Sequence, residues 1–425
     1  MCAKIDGIRI CHDEATANHL DLSTPAMSVD PIPKNGRYLL IIAYLGFISL
    51  GLPDTVIGVA WPSVRESFGL SQGSVSWIFV GAGSGYFISS FYTGRMLGFV
   101  GIGALLAISS GLVALSGFGF SFLPIWAAFA ACAVVHGLGS GAIDAGLNRY
   151  VANHFSARHM NWLHACYTLG AAIGPLIMTA AISWNGAWRL GYLIVASMIL
   201  SLAVLFAITR RGWDSEKGKQ QKEESPSTFR EALQHPIVRL QGVIYFVYTG
   251  LEITLGQWAF TLLTESRHIS QETAGIWVTL YWSSILAGRI FFGAVVDHFG
   301  IDRLLRWSTS AAVVGTILFA WNPTSWSSPV GLAISGLGLA AIYPCLMTRT
   351  PHRVGARLSG HAIGFQVSVA ILGAAALPSL VGFLTGPLGL EVIGVSAIGM
   401  AMIVVLLHEI LLKKSRLPES RLSDS

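Results

Sequence analysis

The feature that most constrains this chain is a succession of apolar runs long enough to cross a bilayer. A membrane-spanning helix needs about 20 mainly apolar residues. Twelve such runs lie near 38–61, 74–94, 99–120, 124–148, 161–183, 188–209, 238–262, 273–295, 303–321, 329–347, 361–382 and 389–412. Composition agrees: 53% of the 425 residues are hydrophobic and 12% are charged, against roughly a quarter charged in a soluble domain. Soluble enzymes, nucleic-acid binders and secreted disulfide scaffolds are therefore excluded as classes. Cys2, Cys11, Cys132, Cys166 and Cys345 form no C-x-x-C pair, so neither a disulfide framework nor a metal centre is signalled, and no cofactor is expected.

Polar segments divide the runs. The expected organisation is a cytoplasmic tail at 1–36, a six-helix bundle at 37–209, a cytoplasmic linker at 210–236, a second six-helix bundle at 237–412 and a cytoplasmic tail at 413–425. The N-terminal tail carries Asp6, Asp13, Glu14, Asp21 and Asp30 without an apolar core, so it reads as neither a secretory signal nor a mitochondrial leader. Lys and Arg stay on the cytoplasmic side during insertion. Of the 27 here, 24 fall on alternate loops and the tails, leaving Arg65, Arg189 and Arg267 on the other side. That asymmetry puts both termini inside a plasma (inner) membrane, with a monomer expected. It also accounts for the net charge of +5 without a nucleic acid or another anionic partner.

The two sets of six runs repeat each other. Gly137-Leu138-Gly139 in span 4 matches Gly336-Leu337-Gly338 in span 10, and Phe47, Gly51 and Leu52 in span 1 match Phe246, Gly250 and Leu251 in span 7, all at an offset of 199. Leu169-Gly170-Ala171-Ala172 with Pro175 in span 5 matches Leu372-Gly373-Ala374-Ala375 with Pro378 in span 11. The paired spans have equal orientation, so the halves are parallel repeats about an axis along the membrane normal. The small residues let helices approach closely. After span 8, Gly293, Asp297, Gly300 and Arg303 fit G-x-x-x-D-x-x-G-x-x-R. With the six-plus-six repeat, this resembles the major facilitator superfamily, which implies an all-α fold of twelve transmembrane helices and a gating role for that loop. The equivalent loop 2–3, Gly94 to Phe99, lacks the acid.

Ionisable groups inside apolar helices are expensive and usually functional. Three acids are so placed: Asp54 in span 1, Asp144 in span 4 and Glu252 in span 7. No Lys or Arg is expected near mid-span to hold them ionised. Burial disfavours a charged carboxylate, so such acids are suited to carrying protons. In span 4, His136, Ser140, Asp144 and Asn148 recur every four residues and form one polar stripe. Residues stacked along one helix do not converge on a nucleophile with an oxyanion hole, which argues against a hydrolase. Gly69-x-Ser71-x-Gly73 matches a hydrolase motif but lies in a short loop rather than at a strand-to-helix elbow.

Asp144-x-x-x-Asn148, with Asp54 in a Gly-Leu-Pro-Asp segment of span 1, resembles the fucose/proton symporter family within that superfamily. The resemblance implies proton coupling through Asp54 and Asp144 and a small sugar or polyol as solute. Span 4 departs from the family in having Asp rather than Glu, and Arg149 where a proline follows the Asn. The C-terminal half supplies groups suited to a sugar. Aromatic planes pack on ring faces, while amides and carboxylates bond hydroxyls. Tyr248, Glu252, Gln257, Trp258, Tyr281, Tyr343 and Gln366 are candidates, with Asn148 and His164 from the other half. Tyr343 stands where the repeat places Asp144, next to Pro344. Interfacial anchoring is the competing reading for the tryptophans, notably Trp277, Trp307, Trp321 and Trp326. The expected partners are a small-molecule solute, a proton and the lipid bilayer. Proton-driven efflux of a drug or metabolite is the alternative transport mode, and a lipid scramblase or membrane enzyme the alternative class.

Overall fold

The computed structural model describes residues 4–5, 8–9, 34–155, 157–185, 187–214 and 229–415. Most of the expected N-terminal tail, the middle of the linker and residues 416–425 lie outside the described residues. The chain forms two units, 1–38 and 39–425. In the first, Lys4–Ile5 pairs antiparallel with Ile8–Arg9. The second is helical among its described residues.

The helices are α1 (Lys34–Phe68), α2 (Ser76–Phe122), α3 (Trp126–His154), α4 (Ala157–Asn185), α5 (Trp188–Asp214), the short α6 (Phe229–Gln234), α7 (Pro236–Thr261), α8 (Gln271–Phe299), α9 (Ile301–Trp321), α10 (Ser327–Ala340), α11 (Ile342–Val354), α12 (Ala356–Leu388) and α13 (Val392–Ser415). Twelve spans fit onto them. Spans 2 and 3 both lie in α2, which turns at Gly101 with φ 72° and ψ 164°. Only glycine adopts that backbone without strain. Span 10 is divided between α10 and α11, because Pro344 has no N–H to offer the Ala340 carbonyl.

Among the described residues, ten helical stretches are long and apolar enough to cross a membrane, one of which, 72–122, holds two spans. The remaining span is α7, made less apolar by Gln241, Glu252, Thr254 and Gln257, all of them buried inside the protein. Large apolar side chains such as Phe91, Phe99, Leu115, Ile208 and Leu406 are instead exposed on the outside. In a bilayer this arrangement is favourable, since lipid is as apolar as leucine and polar groups need partners within the protein.

The repeat persists in the packing. A Cβ added at Gly137 would lie 2.0 Å from the Ala82 carbonyl oxygen, and one at Gly336 would lie 2.5 Å from that of Tyr281. One at Gly139 would lie 2.5 Å from the Ser109 oxygen, and one at Gly338 would lie 2.7 Å from that of Ser308. Both members of each contact move by the same 199 residues. Span 4 therefore packs on spans 2 and 3 as span 10 packs on spans 8 and 9. The α1–α4 and α7–α12 crossings correspond likewise, with Gly170 against the Ile48 carbonyl and Gly373 against that of Phe246. An even number of spans in each half brings the linker and both ends of the bundle to one side, called the linker face below; the other is the opposite face.

Candidate functional site

The polar stripe of α3 meets an acid of α1 and a hydroxyl of α2, and its members bond one another. Asp54 Oδ1 lies 3.0 Å from His136 Nε2, and Asp54 Oδ2 accepts from the Tyr167 hydroxyl at 3.0 Å. His136 Nε2 is also 3.4 Å from Ser140 Oγ. One turn further, Asp144 Oδ2 accepts from the Tyr86 hydroxyl at 2.5 Å and Oδ1 accepts from Asn148 Nδ2 at 3.0 Å. Every side-chain partner given to Asp144 is thus a neutral donor, whereas Asp54 has a histidine beside it.

In the other half Glu252 accepts from the Tyr248 hydroxyl, and the Tyr281 hydroxyl bonds the Glu252 carbonyl at 2.9 Å. The third group at Glu252 comes from within span 8. Arg289 Nη2 stands 3.9 Å from Glu252 Oε1. Its Nη1 reaches across to the first half, donating to Thr168 Oγ1 at 2.7 Å and to the His164 carbonyl at 3.2 Å. The expectation that no Arg accompanies the intramembrane acids is therefore corrected. Arg289 sits on the side of α8 that faces α4, and its guanidinium extends from the helix into the space between the halves. The only sequence signal was its position inside the apolar run 273–295 rather than beyond it. On α4, Tyr167 bonds Asp54 and the adjacent Thr168 accepts from Arg289, which itself stands beside Glu252. The acids of both halves thus share one neighbourhood.

The other candidates are placed as follows. The His164 ring packs edge-on against Phe47 at 5.4 Å. Tyr343 accepts at its carbonyl from the Tyr245 hydroxyl at 3.0 Å and packs at right angles to that ring. Trp258 is fully buried and donates to the Pro378 carbonyl at 2.9 Å, in the seam between α7 and α12. Gln257 is buried where α7 meets Gly58 of α1. Gln366 is buried and accepts from Thr350 Oγ1 at 3.2 Å, beside Gln241. Gly300 turns the chain between α8 and α9 at φ 78°, Gly293 has open space around it and Arg303 is exposed. The Asp297 side chain lies outside the described residues. Tyr86, His136 and Tyr167 complete the constellation; Tyr86 carries no sequence signal beyond being a tyrosine in an apolar run.

The halves also meet near the opposite face. Arg65 Nη2 donates to Glu265 Oε1 at 2.9 Å, Gln72 Nε2 donates to Glu265 Oε2 at 2.8 Å and Trp61 Nε1 donates to Gln72 Oε1 at 3.0 Å. A turn of π-helix, Leu262–Ser266, presents Glu265. Above this contact lies a cavity of about 560 Å³ lined by residues including Pro62, Arg65, Glu66, Glu265 and Gln271. Gly73 and Gly83 in the same half meet Phe383 and Ala375 of α12. Gly98, beside the bend of α2, and Gly360 and Gly364, near the start of α12, have nothing within 4 Å, and neither do Gly386 and Gly389 at the other end of α12. Among the described residues, the contacts of Glu265 and Gly73 join the halves at the opposite face.

Known proteins give this arrangement a family. The chain is similar to Bypass of stop codon protein 6 of Saccharomyces cerevisiae, with 24% identity over 83% of this chain and 78% of that one. Human Sodium-dependent glucose transporter 1 is 22% identical over 80% and 72%, and the Glucose/mannose transporter GlcP of Bacillus subtilis is 24% identical over 74% and 79%. In fold it resembles a D-xylose-proton symporter, with a TM-score of 0.71 at 14% identity over 90% of this chain and 98% of that one. It also resembles the Escherichia coli Fucose:proton symporter, with a TM-score of 0.61 at 14% identity over 88% and 98%. The Major Facilitator Superfamily profile matches residues 43–263 and, a second time, residues 245–425. The chain belongs to the Major Facilitator Superfamily, a superfamily of membrane transporters and not of enzymes.

Proposed function

We propose that the protein imports a small sugar or polyol together with a proton, by alternating access of a site between its halves, 37–209 and 237–412. The observation that carries the coupling is the partner set of Asp144. Among the described residues its side-chain partners, Tyr86 and Asn148, are neutral donors that carry no positive charge, while Glu252 has Arg289 and Asp54 has a histidine, His136. An acid without a cation beside it gains most from taking up a proton when water is withdrawn. Asp54 sits one helix away as the second proton-coupling acid. The solute is held by Asn148, His164, Tyr248, Glu252, Gln257, Tyr281, Tyr343 and Gln366, with Trp258 bracing the wall behind them. The similarity to a glucose transporter and a glucose/mannose transporter supports a sugar.

The linker face is the cytoplasmic one in this reading, in a plasma membrane, because the Lys and Arg excess lies there. With the halves joined at the opposite face, this is then the inward-facing state, and the loop holding Gly293, Asp297, Gly300 and Arg303 closes the cytoplasmic side. The protein works as a monomer. Sodium is the competing ion, favoured by the name of the human relative. Proteoliposomes separate the two. Labelled glucose, xylose and fucose are offered under an inward pH gradient or an inward sodium gradient. Accumulation that follows the pH gradient and collapses with a protonophore is expected. Accumulation that follows sodium alone would replace the proton, and no accumulation of any sugar would set the substrate class aside.

A further inference from the structure

A second polar cluster lies at the linker face of the C-terminal half, away from the central site. Asp302 is in the first turn of α9, Arg349 and Arg353 stand one turn apart on α11, and His408 and Glu409 lie on α13. Asp302 accepts from Arg349 Nη2 at 2.8 Å and lies 3.5 Å from Arg353 Nη2. Arg306 is satisfied separately, forking onto Glu409 at 2.6 and 2.7 Å. Arg349 Nε, Arg353 Nη1, Asp302 Oδ1 and both ring nitrogens of His408 are buried with no hydrogen-bond partner among the described residues. The Arg353 side chain is only 5% exposed and His408 only 2%.

Leaving a buried donor unbonded costs about 1–3 kcal/mol, and more when it is charged, so the donors among these atoms, Arg349 Nε, Arg353 Nη1 and one His408 ring N–H, point to an acceptor that completes the site. Two guanidiniums against one carboxylate leave a surplus positive charge. Exposed Arg303 and, in the last turn of α13, Lys413 and Lys414 add to it. The amide groups of the α9 N-terminus favour the same sign of ligand. The half-exposed Trp307, edge-on to Phe299 at 5.3 Å, marks the depth of lipid headgroups.

We propose that this cluster binds a phosphoryl anion. Its oxygens accept from Arg349 Nε, Arg353 Nη1 and an N–H of His408, while Asp302 holds the two guanidiniums side by side. Lipid headgroups and free phosphate both carry this chemistry, and basic pockets between spans are a known setting for anionic headgroups. Thermal unfolding of the purified full chain in detergent tests it, with phosphatidylglycerol, phosphatidylcholine or inorganic phosphate as the probe. A saturable rise in melting temperature with phosphatidylglycerol alone identifies a headgroup site, and a rise with both anionic probes identifies a site for free phosphate as well. Arg349→Gln, at a partly exposed position, should weaken the apparent affinity at least roughly tenfold, as expected for one charge-assisted bond. Lys413→Gln with Lys414→Gln should change it far less. His408→Phe should weaken binding too, without removing a permanent charge. No saturable rise with either anionic probe overturns the proposal. So does a rise that survives Arg349→Gln but is lost with the two lysines, which would place the anion on the open surface.

Discussion

At the scale of single residues, the structure separates groups that hold the fold from groups that can meet a solute. Trp258 is buried against Gly382 and bonded to Pro378. Trp258→Ala should therefore cost about 3–5 kcal/mol of stability, and Trp258→Phe, which keeps most of the ring volume, about 1 kcal/mol for the lost bond. Thermal unfolding with a sugar-binding isotherm distinguishes this from a ligand role, in which affinity would fall while the melting temperature held. Arg289 is the converse case, a charge whose partners belong to both halves. Removing it leaves Glu252 without its cation, and breaking such a pair costs up to about 3–5 kcal/mol, less where the acid takes up a proton instead. Arg289→Gln should thus destabilise strongly, and adding Glu252→Gln should recover most of the loss. If the double variant is as unstable as the sum of the two single ones, the two groups do not act as a pair. The polar stripe of α3 was legible in the sequence, because four-residue spacing on one helix is a local property. The Tyr86 bond to Asp144 and the reach of Arg289 were not. They depend on how neighbouring helices are rotated and how far the halves approach, and no periodicity records either.

At the scale of elements, close crossings at glycines set the geometry of each half. The Cβ of Gly137→Ala would sit 2.0 Å from a carbonyl oxygen of the neighbouring helix, and that of Gly336→Ala would sit 2.5 Å from its counterpart. Both contacts are with backbone, so neither can be relieved by moving a side chain. Each variant should lower the yield of folded protein, Gly137→Ala more. Normal yield and melting temperature for either would show that these crossings are looser than described. The spans themselves, and the 199-residue correspondence, were readable from sequence because bilayer thickness dictates the run length and the repeat dictates the spacing. The turn between spans 2 and 3 was harder to bound, since it rests on Gly101 without a polar loop. At the opposite face, Glu391 ties the start of α13 to Arg267. Burial alone would raise its carboxyl, but the bonds from Arg267 and Ser266 hold it below the ordinary range. The stability it contributes is present above the ordinary glutamate pKa and is lost as pH falls through the lowered value. Glu391→Gln should therefore flatten the acid side of a melting-temperature profile. A profile identical to the parent's would remove this contact from the account.

At the scale of the whole molecule, the two halves are joined near the opposite face by Arg65, Gln72 and Glu265, and centrally by Arg289. The outer contact is partly exposed, so it is worth about 1 kcal/mol or less and acts on an equilibrium between states rather than on folding. Glu265→Gln should raise the population open at that face several-fold. A cysteine in place of Ser63, in a background without other cysteines, would then react faster with a membrane-impermeant reagent; an unchanged rate would mean that the gate lies elsewhere. The central claim is that Asp144 carries the coupling proton between the two states. The most direct measurement compares Asp144→Asn with the parent in proteoliposomes, reading uptake driven by a pH gradient and exchange of labelled for unlabelled solute at equal pH. Neutral Asn imitates the protonated acid, so gradient-driven accumulation should vanish while exchange stays measurable. Accumulation at the parental rate in Asp144→Asn would contradict the account.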